Sequence, residues 1–455
     1  MINDKKFHFI AIGGVGQSAL AKILLSRKYI ISGSDINDSK YVKALKELGA
    51  KVVIGHDKNN VQDDMNIVLS TAIKEDNPEL IRAKELNLPI FHRSDVLKLI
   101  SSEYKTFIGF SGTHGKTTSS GMMSYVLEKM NVHPAYAVGG IISGLETNAN
   151  AYSDSEVFVA ELDESDGTIV KYSPDYIVIN NLEADHFDFY KNGNEDIINT
   201  FLKFTQNLKD TSKIFLNMDD KGVLKLYEKI PHKNVITYSL KNKNANYYSL
   251  IKDGYFELYK NGEFLTNVKT SIKGYHNVTN TTSVLSVLYE IGYDEKEFLP
   301  HIYSFSGTKR RFEVLYDKDI TVIDDYAHHP TEIKAVLNCA KDTGAKNITA
   351  IFQPHRYTRL KALYGEFLNS FELADVLFVV DTFSAGDKFD EKYNSENFAK
   401  TIKHKNVRYV KGDMDTAAKE IAKNLKKGDF VITIGAGDVT KIGHKLGELY
   451  EQYGN

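Results

Sequence analysis

Gly109-Phe110-Ser111-Gly112-Thr113-His114-Gly115-Lys116-Thr117-Thr118 is the stretch on which the reading of this chain turns. Residues 104–108 before it, Tyr-Lys-Thr-Phe-Ile, have the pattern of a buried strand, and residues 119–130 after it that of a helix. Strand, glycine loop, Lys-Thr and helix together form a cradle for a nucleoside triphosphate. Backbone N–H groups of the loop face phosphate oxygens, with the positive end of the helix dipole behind them. On this reading Gly112, Thr113, His114, Gly115 and Thr118 hold ATP, Lys116 reaches the outer phosphates, and Thr117 sets its hydroxyl on Mg2+. The glycine spacing is unusual. The general pattern has four residues between the first glycine and the Gly-Lys pair. Here five separate Gly109 from Gly115, and two separate Gly112 from it.

A chain of 455 residues is too long for one core, and at roughly 150 residues per domain it predicts about three. Its 42% hydrophobic and 26% charged residues describe a globular protein and exclude disorder. Fifty-seven basic residues against 60 acidic ones leave a net charge of −3, so nothing electrostatic argues for nucleic acid or an anionic membrane as partner. The one cysteine, Cys339, excludes an intramolecular disulfide and reads as a small buried residue. No apolar run approaches the roughly eighteen residues of a membrane span. The start, Met1-Ile2-Asn3-Asp4-Lys5-Lys6, enters a strand with no secretory apolar segment. A reducing cytoplasm is the expected setting; oligomeric state is left open.

Short runs rich in Ile, Val and Phe alternate with helical patterns, the mark of parallel α/β sheets. Strands are predicted at 7–12, 29–32, 51–54, 66–69 and 89–91, with helices at 18–26, 39–48 and 78–86. A second unit starts with the Lys-Thr loop and continues through strands at 135–140, 157–161, 176–180 and 213–216. Residues 234–273 alternate apolar and polar around Asp253-Gly254 and Asn261-Gly262, which predicts added antiparallel strands. A third unit, from about Gly307, has strands at 321–324, 348–352, 376–380, 407–410 and 430–434. The domains are placed at 1–100, 101–306 and 307–455.

After the first strand comes Gly13-Gly14-Val15-Gly16-Gln17-Ser18-Ala19, with Ser34-Asp35 closing the next strand. By pattern this is a dinucleotide fingerprint. The physics of the loop requires only a pyrophosphate at a helix N-terminus, which a UDP-sugar presents as well as NAD does. In the middle unit, Glu161 ends one strand and the cluster Asn181-Leu182-Glu183-Ala184-Asp185-His186 ends another. Strand ends are where ligands bind in open α/β sheets, which makes Glu161 and His186 the metal candidates beside Thr117. The intervening Asp163, Glu164 and Asp166 read as a solvated acidic turn. In the third unit, polar clusters again follow strands: Ser306 to Glu313, with Arg310 and Arg311; Asp324-Asp325-Tyr326-Ala327-His328-His329-Pro330-Thr331-Glu332; Gln353 to Arg359, with Arg356 and Arg359; and Gly435 to Lys441. These arginines are suited to bidentate capture of phosphate or carboxylate.

Taken together, these blocks resemble the Mur ligase family essentially from end to end. The likeness rests on His8 to Gly16, Ile31 to Asp35, Gly112 to Thr118, Ala160 to Asp166, Asn181 to His186, Gly307 to Phe312, Asp324 to Glu332 and Phe352 to Arg359. The family usually has Gly where Ala11 stands and Met where Gln17 stands. The resemblance implies three domains: an N-terminal Rossmann-like domain for the UDP-sugar, a central P-loop ATPase with a mostly parallel sheet plus antiparallel strands, and a C-terminal Rossmann-like domain on the amino-acid side. It is strongest to the branch that joins L-alanine to the lactyl carboxylate of UDP-N-acetylmuramate in peptidoglycan precursor synthesis. Some sibling ligases carry a carbamylated lysine after the histidine matching His186, and residues 187–203 offer no clear equivalent, in agreement with that branch.

Carried over residue by residue, the resemblance implies a sugar carboxylate attacking the γ-phosphate of ATP and an amine attacking the resulting acyl phosphate. Lys116, His186, Arg356 and Arg359 are then catalytic, and Thr117, Glu161 and His186 hold Mg2+. Asn277, Arg311 and Asp324 contact ATP, Tyr326 and His328 face the amino acid, and Gly13, Gly14, Val15, Gly16, Ser34 and Asp35 bind the UDP-sugar. Three rivals remain at this point: a sibling ligase adding a recycled tripeptide to the same sugar nucleotide, an NAD-dependent dehydrogenase, and a P-loop switch.

Overall fold

The structure is a computed structural model and describes residues 5–183, 185–187, 189–231 and 234–453. Ala184, within the second acidic cluster, lies outside them. Three sheets account for the strands, and the chain divides into two compact units.

The first unit, residues 1–184, 192–270 and 280–305, holds two of the sheets. One consists of β1 (Lys6–Ile10), β2 (Ile30–Asp35), β3 (Lys51–Ile54), β4 (Asn66–Leu69) and β5 (Ile90–His92), in the order β3-β2-β1-β4-β5, all parallel. The order reverses between β1 and β4, so the loop after β1 leaves from the switch point where such sheets bind ligands. That loop, 11–14, runs into the helix Val15–Ser26.

The other sheet has ten strands: β6 (Thr106–Ser111), β7 (Ala135–Ile142), β8 (Thr147–Asn150), β9 (Val157–Glu161), β10 (Tyr176–Ile179), β11 (Lys213–Asn217), β12 (Val235–Ser239), β13 (Tyr247–Lys252), β14 (Tyr255–Lys260) and β15 (Glu263–Val268). Their order is β15-β14-β13-β12-β11-β10-β6-β9-β7-β8. From β7 to β13 the neighbours run parallel, and β14, β15 and β8 are antiparallel additions at the two edges. Central position explains the composition of β6, whose five residues Phe107 to Ser111 are buried on both faces. Within it Gly109 is a packing glycine, because a Cβ there would lie 2.6 Å from Leu162 Cδ1.

The helix Lys116–Lys129 behind β6 is buried from Thr117 to Leu127. It has no solvent stripe, which is why its helical period is faint in the sequence. Two of its hydroxyls are satisfied within the helix: Ser120 Oγ donates to Lys116 O at 2.8 Å and Ser124 Oγ to Ser120 O at 2.8 Å. The two sheets of this unit are joined through Asn148, whose Nδ2 donates to Val15 O at 3.1 Å, and through Lys22 Nζ to Asn148 Oδ1 at 3.0 Å.

The second unit, residues 185–191, 271–279 and 306–455, holds a six-stranded sheet. Its strands are β16 (Glu313–Asp317), β17 (Thr321–Asp325), β18 (Ile348–Phe352), β19 (Val376–Val380), β20 (Val407–Val410) and β21 (Phe430–Ile434), in the order β16-β17-β21-β18-β19-β20. All neighbours are parallel except the edge pair β16–β17, and β16 is an element the sequence reading omitted. Because β17, β21 and β18 are adjacent and parallel, the polar segments after them leave from one edge of the sheet. Among the described residues no helix is long and apolar enough to cross a membrane.

One contact in the first unit leaves no room for change. Gly222, the second residue of the helix Lys221–Tyr227, packs against the segment after β10, where a Cβ would stand 2.1 Å from Leu182 O. Gly222→Ala is expected to destabilise the protein by about 1–3 kcal/mol through backbone displacement, read as a lowered urea midpoint. An unchanged midpoint would contradict this packing.

Candidate functional site

The segment after β6 is shaped by two glycines in left-handed backbone conformations, Gly112 at φ +120° and Gly115 at φ +82°. A Cβ on Gly112 would fall 2.8 Å from Asn181 O. Close approach here lets the segment after β10 clamp the loop. Thr113 N donates to Asn181 O at 3.1 Å, His114 N to Asn181 Oδ1 at 2.7 Å, and Glu183 N to Thr113 Oγ1 at 2.9 Å. His114 Nε2 lies 3.0 Å from Glu183 Oε2. The unusual glycine spacing thus has a physical cause: Gly112 serves the clamp, Gly115 the turn into the helix, and Gly109 the sheet.

Lys116, the first residue of that helix, folds back over the loop. Its Nζ donates to Gly112 O at 2.5 Å and Thr113 O at 3.0 Å, and lies 3.0 Å from Glu164 Oε2. Burial disfavours its charge, but Glu164, Glu161 and Asp163 outweigh burial and hold the ammonium above its ordinary range. The turn 163–166 therefore differs from the solvated acidic turn predicted. Glu164 is fully buried against Lys116, Asp163 accepts from Arg93 Nη2 at 2.5 Å, and Asp166 lies 3.7 Å from the same nitrogen. The turn faces cations supplied from elsewhere in the unit, which a local reading of four residues cannot see.

Thr117 Oγ1 donates to Glu161 Oε2 at 2.9 Å, and Gly139 N donates to the same oxygen at 2.8 Å. A Cβ at Gly139 would lie 2.4 Å from that oxygen, so the glycine makes room for the carboxylate. A hydroxyl and a carboxylate side by side at the mouth of a phosphate loop are hard oxygen donors of the kind Mg2+ takes.

The N-terminal loop has its own brace. Gly13 N donates to Asp35 Oδ2 at 2.8 Å, while Gly14, Val15 and Gly16 lead into the helix. Ser34 is buried, with its hydroxyl 2.6 Å from Glu79 Oε2 and 2.8 Å from His56 Nδ1. Glu79 also meets His8 Nε2 at 3.3 Å and Asn60 Nδ2 at 2.6 Å. These donors outweigh the burial of the Glu79 carboxyl and hold it below its usual range. Sequence reasoning missed Glu79 and Arg93. The Asn77-Pro78-Glu79 helix start was a local signal for the former; nothing local marks the latter.

In the second unit, Asp185 and Arg359 form a buried bidentate pair: Arg359 Nε to Oδ1 at 3.1 Å and Nη2 to Oδ2 at 3.2 Å. Burial alone would raise the Asp185 pKa, but the guanidinium outweighs it and keeps the carboxyl far below the carboxylate range. His186 follows at φ +53°, with its N donating to Asp185 Oδ1 at 2.8 Å. A small cavity is lined by Asp185, His186, Phe187, Arg356, Thr358 and Arg359. His355 Nδ1 lies 3.2 Å from Arg359 Nη1, and the His328 and His355 rings are 6.1 Å apart.

Alongside, Arg310 and Arg311 stack on Tyr326 at 4.9 and 5.3 Å from its ring centre. Asp324 is buried, taking Arg310 Nε at 3.0 Å and Thr433 Oγ1 at 2.6 Å. Arg311 lies 3.6 Å from Glu332, and Asn277 Nδ2 donates to Lys273 O at 2.7 Å. So Asp185, His186, Arg356, Arg359 and His328 share one neighbourhood of this unit. Thr117, Glu161 and Lys116 share one in the first unit.

A parallel sheet, a glycine loop clamped at a helix N-terminus and an adjacent Thr–Glu pair define a P-loop α/β protein. Three family models match in order along the chain: "Mur ligase family, catalytic domain" at 6–105, "Mur ligase middle domain" at 110–288, and "Mur ligase, glutamate ligase domain" at 310–437. The chain is 36% identical over 461 residues to the UDP-N-acetylmuramate–L-alanine ligase of Sulfurihydrogenibium sp., covering 98% of each. It is 38% identical over 446 residues to the protein of that name from Clostridium perfringens, covering 97% of each. A solved UDP-N-acetylmuramate–alanine ligase from Thermotoga maritima matches with a TM-score of 0.82 at 28% identity, covering 98% of this chain and 99% of that one. The chain belongs to the Mur ligase family.

Burial lowers the pKa of three imidazoles in the second unit: His276 to about 4, His328 to about 3 and His355 to about 4. Their folded values lie below the unfolded value of about 6.5, so between those limits the unfolded chain binds more protons and stability falls as pH falls. Asp325, pushed up to about 7 by burial, opposes them with a single proton. Three against one, the melting temperature is expected to drop between pH 7 and pH 5. A flat or rising profile over that interval would contradict the neutral, buried state of these rings.

Proposed function

We propose that this protein is an ATP-dependent ligase that joins L-alanine to the lactyl carboxylate of UDP-N-acetylmuramate through an acyl phosphate, a step of peptidoglycan precursor synthesis. The observation that carries this reading is the identity of 36–38% over nearly the whole chain with ligases of that name. In that scheme residues 1–100 bind the sugar nucleotide, 101–306 bind ATP, and 307–455 receive the amino acid.

A carboxylate is a poor electrophile toward an amine, so it is first phosphorylated, and phosphoryl transfer is catalysed by positioning and charge stabilisation. Lys116 exchanges its carbonyl and Glu164 partners for the outer phosphates of ATP, with Gly112 to Gly115 and Thr118 around them. Thr117 and Glu161 fit Mg2+ as hard oxygen donors, with His186 as the candidate for a second ion; bound there, the ion neutralises charge on the phosphoryl group. Asn277, Arg311 and Asp324 contribute on the nucleotide side; for Asp324 this acts through Arg310, with which it is paired. Gly13 to Gly16 present the helix N-terminus to the pyrophosphate, and Asp35 braces that loop. Arg356 and Arg359, with Tyr326 and His328, receive the amino acid and stabilise negative charge on the acyl phosphate. Neither nucleic acid nor a membrane has a role in this scheme.

The test is phosphate release from ATP with UDP-N-acetylmuramate and, in turn, L-alanine, glycine, L-serine and a cell-wall tripeptide. Release is expected with L-alanine and only when all three substrates are present. Lys116→Ala is expected to lower turnover by at least about 100-fold while leaving the circular dichroism spectrum unchanged. Near-normal turnover in that variant, or preference for the tripeptide, would overturn the assignment.

A further inference from the structure

Arg356 stands at φ +70°, a left-handed conformation that costs any residue with a Cβ, and it sits at the start of the helix Tyr357–Ala362. Strain of that kind persists only where surrounding contacts over-determine it. Here they come from one segment, 383–387. Arg356 N donates to Phe383 O at 2.8 Å, and Phe383 N donates back to Pro354 O at 2.9 Å. The His355 and Phe383 rings stack at 5.4 Å with 9° between their planes. At the end of the segment, Asp387 Oδ1 accepts from Arg356 Nε at 3.1 Å and Nη2 at 2.9 Å. Its other oxygen accepts from Thr358 N at 3.0 Å and Thr358 Oγ1 at 2.7 Å.

Asp387 therefore spans the strained turn, one oxygen on each side, with its side chain only 8% exposed. Burial opposes its charge, but the Thr358 and Arg356 donors outweigh burial and hold the carboxyl below its ordinary range. A guanidinium gripped through Nε and one edge has its plane fixed, which is what bidentate recognition of a second carboxylate requires. Arg356 and Thr358 both line the cavity beside Arg359.

We infer that Asp387 is a positioning residue: it fixes the plane of Arg356 so that the guanidinium meets the carboxylate of the incoming amino acid. This rests on the proposed reading of Arg356 as an amino-acid-side residue. Asp387 touches no substrate. It acts through Arg356, and its contribution belongs to amino-acid capture, not to ATP.

The test is a double-mutant cycle of Asp387→Asn and Arg356→Lys, with KM for L-alanine, KM for ATP, kcat and melting temperature measured for each protein. Asp387→Asn keeps size and loses charge; it is expected to raise KM for L-alanine by about tenfold with little change in kcat or KM for ATP. In the Arg356→Lys background the same change is expected to add less than about twofold, because its target is gone. Thr358→Val, which removes one Asp387 hydrogen bond, is expected to raise the same KM by about threefold and serves if Asp387→Asn does not fold. An unchanged KM for L-alanine in Asp387→Asn, or an equal rise in both backgrounds, overturns the inference while leaving Arg356 in place. An unchanged KM in Arg356→Lys alone overturns the reading of Arg356 itself and the inference with it.

Discussion

The clamp between the loop at 112–115 and the segment after β10 is the constraint on which the first unit's chemistry depends. Asn181 accepts from two successive loop N–H groups, one through its carbonyl and one through its side chain. That contact is possible only because Gly112 has no Cβ. It holds the loop at the end of a strand buried from Phe107 to Ser111, and it aims the helix Lys116–Lys129. On the proposed reading, preorganisation of this kind spares phosphoryl transfer the cost of ordering its donors at the moment of reaction. The same segment carries Glu183 on to Asp185 and His186, so the strand that clamps the loop also begins the polar set of the second unit.

Each unit manages charge by pairing. Lys116 faces Glu164, Arg310 faces Asp324 and Arg359 faces Asp185, each with at least one member well buried, and the half-buried Arg93 faces Asp163. Buried pairs add little net stability over apolar packing, but losing one partner is costly, so they hold groups in place more than they strengthen the fold. A net charge of −3 conceals this arrangement entirely. Composition reports the sum of charges and says nothing of which cation a given carboxylate meets.

What could be read from the sequence follows the same division between local and distant. The parallel strands were legible because burial on both faces writes continuous apolar runs, and the phosphate loop because glycine and Lys-Thr at a strand end are local requirements. Edge strands β8 and β16 were not, since a short antiparallel edge has no continuous apolar run. The 163–166 turn was misread because four acidic and polar residues look solvated unless Lys116 and Arg93, 48 and 70 residues away, are known to face them. Glu79 and Asp387 escaped for that reason too: each earns its place through partners supplied by other segments. The glycine spacing looked irregular only against the general pattern, which counts from a first glycine, and Gly109 at that place packs within the sheet.

The pairing of Lys116 with Glu164 has a consequence for what this loop admits. The ammonium is already solvated by protein, with two carbonyls and a carboxylate around it, so a ligand gains from Lys116 only the surplus over those partners. Apparent affinity is then the intrinsic affinity discounted by the population in which Lys116 is released. On the proposed reading of Lys116 as a phosphate ligand, its pairing with Glu164 favours groups that bring several anionic oxygens at once.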